Sequence, residues 1–152
     1  MGVNLSGQAG VVLVRGGNGN DTIGVTGGDA SIALEVVGGN GNDEISGTGA
    51  GLSVAQKLKG ENGNDILTGG DFGDLLAGGL GNDRIVGGGG NDTINGGAGF
   101  DDAAVYSGAQ AEYEVLILSD GFAVRDNVID RDGEDLLTGI EHIVFLDGDL
   151  SF

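Results

Sequence analysis

Along most of the chain one large aliphatic residue recurs within glycine-rich, polar sequence, always two positions after an aspartate. The unit is nine residues long, G-G-x-G-x-D-x-U-x, where U is the aliphatic position. Seven copies begin at Gly16, Gly38, Gly60, Gly69, Gly78, Gly87 and Gly96. The last five abut from Gly60 to Ala104, whereas the first three lie 22 residues apart, separated by 13-residue segments. A fixed short period of this kind predicts a solenoid, in which each repeat adds a layer and buries its apolar side against the next. Two half-turns per coil reconcile the periods. Motifs at Gly16, Gly38, Gly60, Gly78 and Gly96 then stack along one edge, and those at Gly69 and Gly87 along the other.

Within each unit the glycines form the turn, where left-handed backbone is tolerated, and x-U-x forms a short strand. Ile23, Ile45, Leu67, Leu76, Ile85, Ile94 and Ala103 are predicted to point inward. Thr22, Glu44, Arg84, Thr93 and Asp102 alternate outward, and Ile66 and Leu75 break that rule with no account in the sequence. In the longer segments Val14, Val36 and Leu58 share an inward column, beside an outward column of Leu13, Glu35 and Lys57. After Asp102 the pattern changes to "EYEVLIL", "GFAVRDNV" and "HIVFL", with Ser119-Asp120-Gly121 as a hairpin turn. Most aromatic residues lie there, as expected of a cap on an open solenoid end. The predicted fold is therefore all-β: a right-handed parallel β-roll or β-helix over 1–104, with a β-rich cap over 105–152. The roll divides into 22-residue units up to about residue 59 and tandem nonapeptides over 60–104. No matching cap precedes Val3, so the chain is expected to belong to a larger polypeptide.

Charge narrows the partners. The 152 residues carry 24 acidic and six basic side chains, a formal net charge of −18. Such a surface repels nucleic acid, anionic membranes and polyanionic sugars, and attracts cations. There is no cysteine, hence no disulfide framework or thiol chemistry. No apolar run reaches the roughly 18 residues that would cross a bilayer, and "MGVNLSGQAG" lacks the pattern of a cleaved secretory signal. His142, the one histidine, has no serine, cysteine or acid at catalytic spacing and reads as structural. The glycine loops lack the lysine and helix of a phosphate loop. "DNVIDRDGED" has its glycine at the wrong offset for an EF-hand and reads as an acidic hairpin loop. With no catalytic constellation, the chain is not expected to be an enzyme.

The motif aspartates remain to be explained. Stacked one strand spacing apart, Asp21, Asp43, Asp65, Asp83 and Asp101 would repel one another, as would Asp74 and Asp92 opposite. A hard divalent cation between successive loops removes that repulsion. Calcium takes six to eight oxygens, main-chain carbonyls among them, and magnesium demands tighter octahedral geometry. Zinc and iron are disfavoured by the absence of cysteine and the presence of a single histidine. Over Gly16 to Ala104 the repeats resemble the repeats-in-toxin (RTX) calcium-binding β-roll, and the tail from Phe100 is similar to segments that follow such repeats in secreted bacterial proteins.

That resemblance implies calcium between same-edge motifs, held by the motif aspartates and by glycine-loop carbonyls. The glycines concerned are Gly16, Gly17, Gly19, Gly38, Gly39, Gly41, Gly60 and Gly63, and farther on Gly78, Gly79, Gly81, Gly87, Gly88, Gly90, Gly96, Gly97 and Gly99. The implied pairs are Asp21/Asp43, Asp43/Asp65, Asp65/Asp83, Asp83/Asp101 and Asp74/Asp92. These make about five ions, which would take the formal charge from −18 to −8. Two motifs depart from consensus. Phe72 replaces the fourth-position glycine beside Asp74, and Glu61 replaces a second-position glycine. The resemblance further implies a secreted bacterial module that passes type I secretion machinery unfolded and folds on calcium outside. The C-terminal "DLSF" is similar to the family's export signals. The alternative is a carbohydrate-binding accessory module or adhesin segment, which a cluster of Lys57, Lys59 and Arg84 on one face would favour.

Overall fold

The computed structural model describes residues 2–4, 10–26, 32–48 and 54–152. Residues 5–9, 27–31 and 49–53, parts of the three 13-residue segments, lie outside the described residues. The strands in the N-terminal part are β1 (Gly2–Asn4), β2 (Gly10–Asn18), β3 (Thr22–Thr26), β4 (Ile32–Asn40), β5 (Glu44–Ser46), β6 (Gln56–Asn62) and β7 (Ile66–Thr68). There follow β8 (Leu75–Leu80), β9 (Arg84–Val86), β10 (Thr93–Ala98) and β11 (Ala103–Val105). After a single 3-10 turn come β12 (Tyr113–Leu118), β13 (Gly121–Asp126), β14 (Glu134–Thr138), β15 (His142–Phe145) and β16 (Gly148–Ser151).

These strands form two eight-stranded sheets whose order alternates along the chain, as two half-turns per coil require. One sheet runs β1-β3-β5-β7-β9-β11-β15-β16 and the other β12-β13-β14-β10-β8-β6-β4-β2. Among the described residues pairing is parallel throughout the roll, and antiparallel only at β12/β13, β13/β14 and β15/β16. The all-β parallel roll read from the periodicity is the observed architecture. Parallel stacking does not stop at residue 104, because β14 pairs with β10 and β15 with β11. The hairpin β12–β13, closed at Ser119 and Asp120, then adds antiparallel strands to the end of one sheet. "DLSF" runs through β16, paired with β15. Among the described residues no helix is long and apolar enough to cross a membrane.

Alternation sets the core. Ile23, Ile45, Leu67 and Ile85 line up from one sheet, and Val14, Val36, Leu58, Leu76 and Ile94 from the other, all buried. Tyr106, Tyr113 and Phe145 close the far end, their ring centroids 5.1 to 5.8 Å apart. Ile66, which breaks the polar rule of the outward positions, lies outward between Glu44 and Arg84, and Leu75, which breaks it too, lies outward between Lys57 and Thr93.

The expected register fails at the last motif. Ala103 faces outward and Ala104 takes the core position, paired with Ile85. From Asn82 to Phe100 the 18-residue spacing still holds, since the Phe100 N–H donates to Asn82 Oδ1. Asp101 is one residue too many, so the next loop residue to turn inward is Asp102. This register buries Tyr106 in the aromatic cluster; the Asp101 register would expose that ring, and a buried aromatic outweighs an alanine.

Candidate metal centre

Each loop turns its aspartate into the roll. On the first edge the main-chain N–H of Asp21 donates to Asp43 Oδ1 at 2.8 Å, Asp43 to Asp65 at 2.7 Å, and Asp65 to Asp83 at 2.8 Å. Asp83 donates to Asp102 at 2.7 Å, and Asp102 to Glu141 Oε2 at 2.9 Å. On the second edge the column runs Gln56, Asp74, Asp92, Asp135, with N–H···Oδ1 distances of 2.7, 2.6 and 2.8 Å. One carboxylate oxygen of each of Asp43, Asp65, Asp83, Asp102, Asp74, Asp92 and Asp135 thus carries the stacking of one coil on the next. Ladders of asparagine run alongside: Asn40 and Asn62 each donate their side-chain amide to the asparagine of the preceding coil. Asn20, Asn42, Asn64 and Asn82 each accept a main-chain N–H from the following coil.

The other carboxylate oxygens behave differently. Oδ2 of Asp21, Asp43, Asp65, Asp83, Asp92 and Asp102 is shut off from solvent and accepts no hydrogen bond. A buried carboxylate oxygen without a partner costs several kilocalories in general, so a row of them calls for a cation. The surroundings fit one. A Cβ on Gly60 or Gly78, the first glycine of its motif, would collide with the Oδ2 of its own loop's aspartate. It would also meet the carbonyl oxygen of the first glycine one coil on, Gly78 O or Gly96 O. Glycine therefore leaves a cradle in which one carboxylate and one carbonyl oxygen approach each other. The second-position glycines Gly17, Gly39, Gly79 and Gly97 hold φ between 110° and 122°, where a side chain is strained. Glu61 adopts φ 78° at the equivalent place.

Among the described residues no three acidic or histidine side chains converge on one point. A cation here must draw on main-chain carbonyls, which suits a hard, oxygen-seeking ion and not zinc. Burial pushes the Asp83 carboxyl up to about 6 and that of Asp92 to about 7, with neighbouring acids adding to the effect. Asp65, Asp74 and Asp102 are raised for the same first cause, burial. A cation held here would supply the missing positive charge and make the ionised form the stable one.

Several predicted positions change. Asp101 does not join the first column: its side chain is 65% exposed and its Oδ1 lies 2.8 Å from His142 Nε2. Asp102, 0% exposed, replaces it. The repeat pattern puts Asp102 on the outer face, but "DDAA" satisfies both registers, so nothing local separates them. Asp135 and Glu141 end the two columns. Their signal is faint, an acid two residues before Leu137 and Ile143 in shortened or degenerate loops. Asp135 therefore belongs to the roll and not to an acidic loop, whereas Asp126 in the same segment pairs with Arg131 at 2.7 Å. Lys57 and Lys59 lie on β6 and Arg84 on β9, in opposite sheets, so the basic cluster favouring a polyanionic ligand does not form. His142 also shares a hydrogen bond with Ser151 Oγ at 3.0 Å, a contact the sequence does not reveal.

Comparison with known proteins agrees with this geometry. No curated protein matches the chain significantly. Residues 4–32, 35–50, 57–76 and 68–103 match, as four copies, the profile of the RTX calcium-binding nonapeptide repeat. Together these segments cover more than half of the 152 residues. With its aspartate columns, glycine cradles and parallel coils, the chain belongs to the family of RTX calcium-binding nonapeptide repeats.

Proposed function

We propose that calcium ions lie between successive loops of the first edge, in the gaps Asp21/Asp43, Asp43/Asp65, Asp65/Asp83, Asp83/Asp102 and Asp102/Glu141, and that their binding drives folding. The observation that carries this reading is the row of five orphaned, buried Oδ2 atoms on that edge, each on a loop whose first glycine leaves room for oxygen ligands. About five ions would fill it. The glycine-loop residues named above supply carbonyls, and the aspartates supply both the charge and the rung that holds the next coil.

Without calcium, self-repulsion at a formal −18 and the conformational freedom of 35 glycines oppose collapse. Extracellular calcium modules bind at about 10⁻⁴–10⁻³ M, so the chain is unfolded where calcium is scarce and folded outside the cell. This is the behaviour of a module that leaves a bacterium unfolded through type I machinery and then stabilises a larger secreted protein.

The test is far-UV circular dichroism of the chain, titrated from chelator with calcium, and with magnesium as control. A cooperative coil-to-β transition with calcium alone is expected. A full β spectrum in chelator that calcium leaves unchanged would sink the proposal.

A further inference from the structure

The two edges are not chemically equal. The first column holds six carboxylates, Asp21, Asp43, Asp65, Asp83, Asp102 and Glu141, and five of them present an orphaned Oδ2. The second holds three carboxylates behind a neutral head, Gln56, and only Asp92 presents such an oxygen. Protein donors have taken the others. The Gly70 N–H donates to Asp74 Oδ2 at 2.6 Å. The Tyr106 hydroxyl donates to Asp135 Oδ2 at 2.9 Å, and that ring is itself buried. At the head of the column Gln56 Nε2 donates to the Gly47 carbonyl at 2.9 Å.

Gln56 occupies the aspartate position, and a Cβ on Gly47 would collide with its Oε1 just as one on Gly69 would meet Asp74 Oδ2. Its amide nitrogen therefore reaches into the cradle, where it offers a carbonyl the hydrogen-bond donor that a cation would otherwise replace. The remaining amide atom, Oε1, has no partner but carries no charge. Phe72 fits the same picture. It displaces the loop glycine, and the neighbouring Asp74 is the motif aspartate whose second oxygen is bonded within its own loop.

We propose that the second edge is a seam closed by the protein's own donors, Gln56 at its head and Tyr106 at its end, so that Asp135 holds no cation and calcium loads the two edges unequally. This rests on the calcium reading above. It differs from a symmetric roll in which every gap on both edges takes an ion. It also explains why Tyr106 is buried with its hydroxyl on a carboxylate: that donor satisfies the last acid of the column, where no further loop follows.

The experiment counts calcium ions bound per full-length chain by equilibrium dialysis, with circular dichroism confirming the β-fold. Asp135→Asn keeps an acceptor for the Asp92 N–H and offers an amide to the Tyr106 hydroxyl; its ion count should equal that of the wild type. Gln56→Asp exchanges the amide for a carboxylate and should add one ion. Asp43→Asn, on the first edge, should lower the count and serves as the positive control. Loss of an ion in Asp135→Asn, or an unchanged count in Gln56→Asp, would overturn the inference while leaving the first-edge sites standing. A wild-type chain that binds no calcium would overturn both readings.

Discussion

Changing Asp101 and Asp102 separately to alanine tests the site at its most exacting point, because the two neighbours differ in everything but sequence. Asp102→Ala removes the acceptor of the Asp83 N–H, a 2.7 Å bond in the buried column, and leaves that donor unpaired at about 1–3 kcal/mol. On the proposed calcium sites it also removes a ligand. One ion bound with a dissociation constant of 10⁻⁴–10⁻³ M contributes about 1.4–2.7 kcal/mol at 10 mM calcium. Together these cost roughly 2–6 kcal/mol. For a chain of this size that lowers the melting temperature by several to about 20 °C. Asp101→Ala loses only an exposed pair with His142, about 0–1 kcal/mol. Thermal melts at fixed 10 mM calcium, together with calcium titrations followed by circular dichroism, would show the difference. Equal shifts in the two variants, or a larger one for Asp101→Ala, would refute the assignment of Asp102 to the column.

Other expectations follow from the same geometry. Leu67 is wholly buried and Ile66 is 44% exposed; Leu67→Ala should cost about 2–5 kcal/mol and Ile66→Ala under about 1, and similar losses in a denaturant titration would contradict the alternation. Glu61→Gly relieves a left-handed φ of 78°; relief of about 1–2 kcal/mol, less glycine's entropic cost, should still raise the melting temperature, and a fall would show that Glu61 is not strained. In chelator, lowering the pH should move the metal-free chain from coil toward the β-fold. Burial raises Asp83 to about 6, Asp92 to about 7 and Asp135 to about 8 in the folded state. Their stabilisation is therefore complete below the unfolded value near 3.9 and disappears as pH rises to about 8. Far-UV circular dichroism in chelator that does not change with pH, or that becomes more β-like between pH 5 and 8, would contradict this.

Much of the fold is legible in the chain because a short-period solenoid makes each structural decision locally and repeats it. Ile23, Ile45, Leu67 and Ile85 are inward for the same reason, two residues after an inward-turning aspartate, and the 22-residue spacing of Val14, Val36 and Leu58 is the strand register itself. The motif aspartates stand out because a small acidic residue after five glycine-rich positions has no use in a core except to hold charge. Where the repeat decays, the local rule loses its grip. "DDAA" satisfies two registers. The asparagines at 18, 40 and 62 occupy positions that the nonapeptide pattern leaves free, and only the vertical approach of one coil to the next turns them into a ladder.

Sequence alone therefore determined the period, the inward column as far as Ile94 and the two edges, since each depends on residues within one coil and its neighbour. Tertiary structure decided what depends on contacts across many residues. Burial of Tyr106 against Tyr113 and Phe145 selects Asp102 over Asp101. Parallel pairing of β14 with β10, 43 residues apart at Asp92 and Asp135, recruits Asp135 to end the second column. The same hydroxyl that anchors the aromatic cluster then satisfies that final carboxylate, because only in the folded roll do a tyrosine and an aspartate 29 positions apart meet at 2.9 Å.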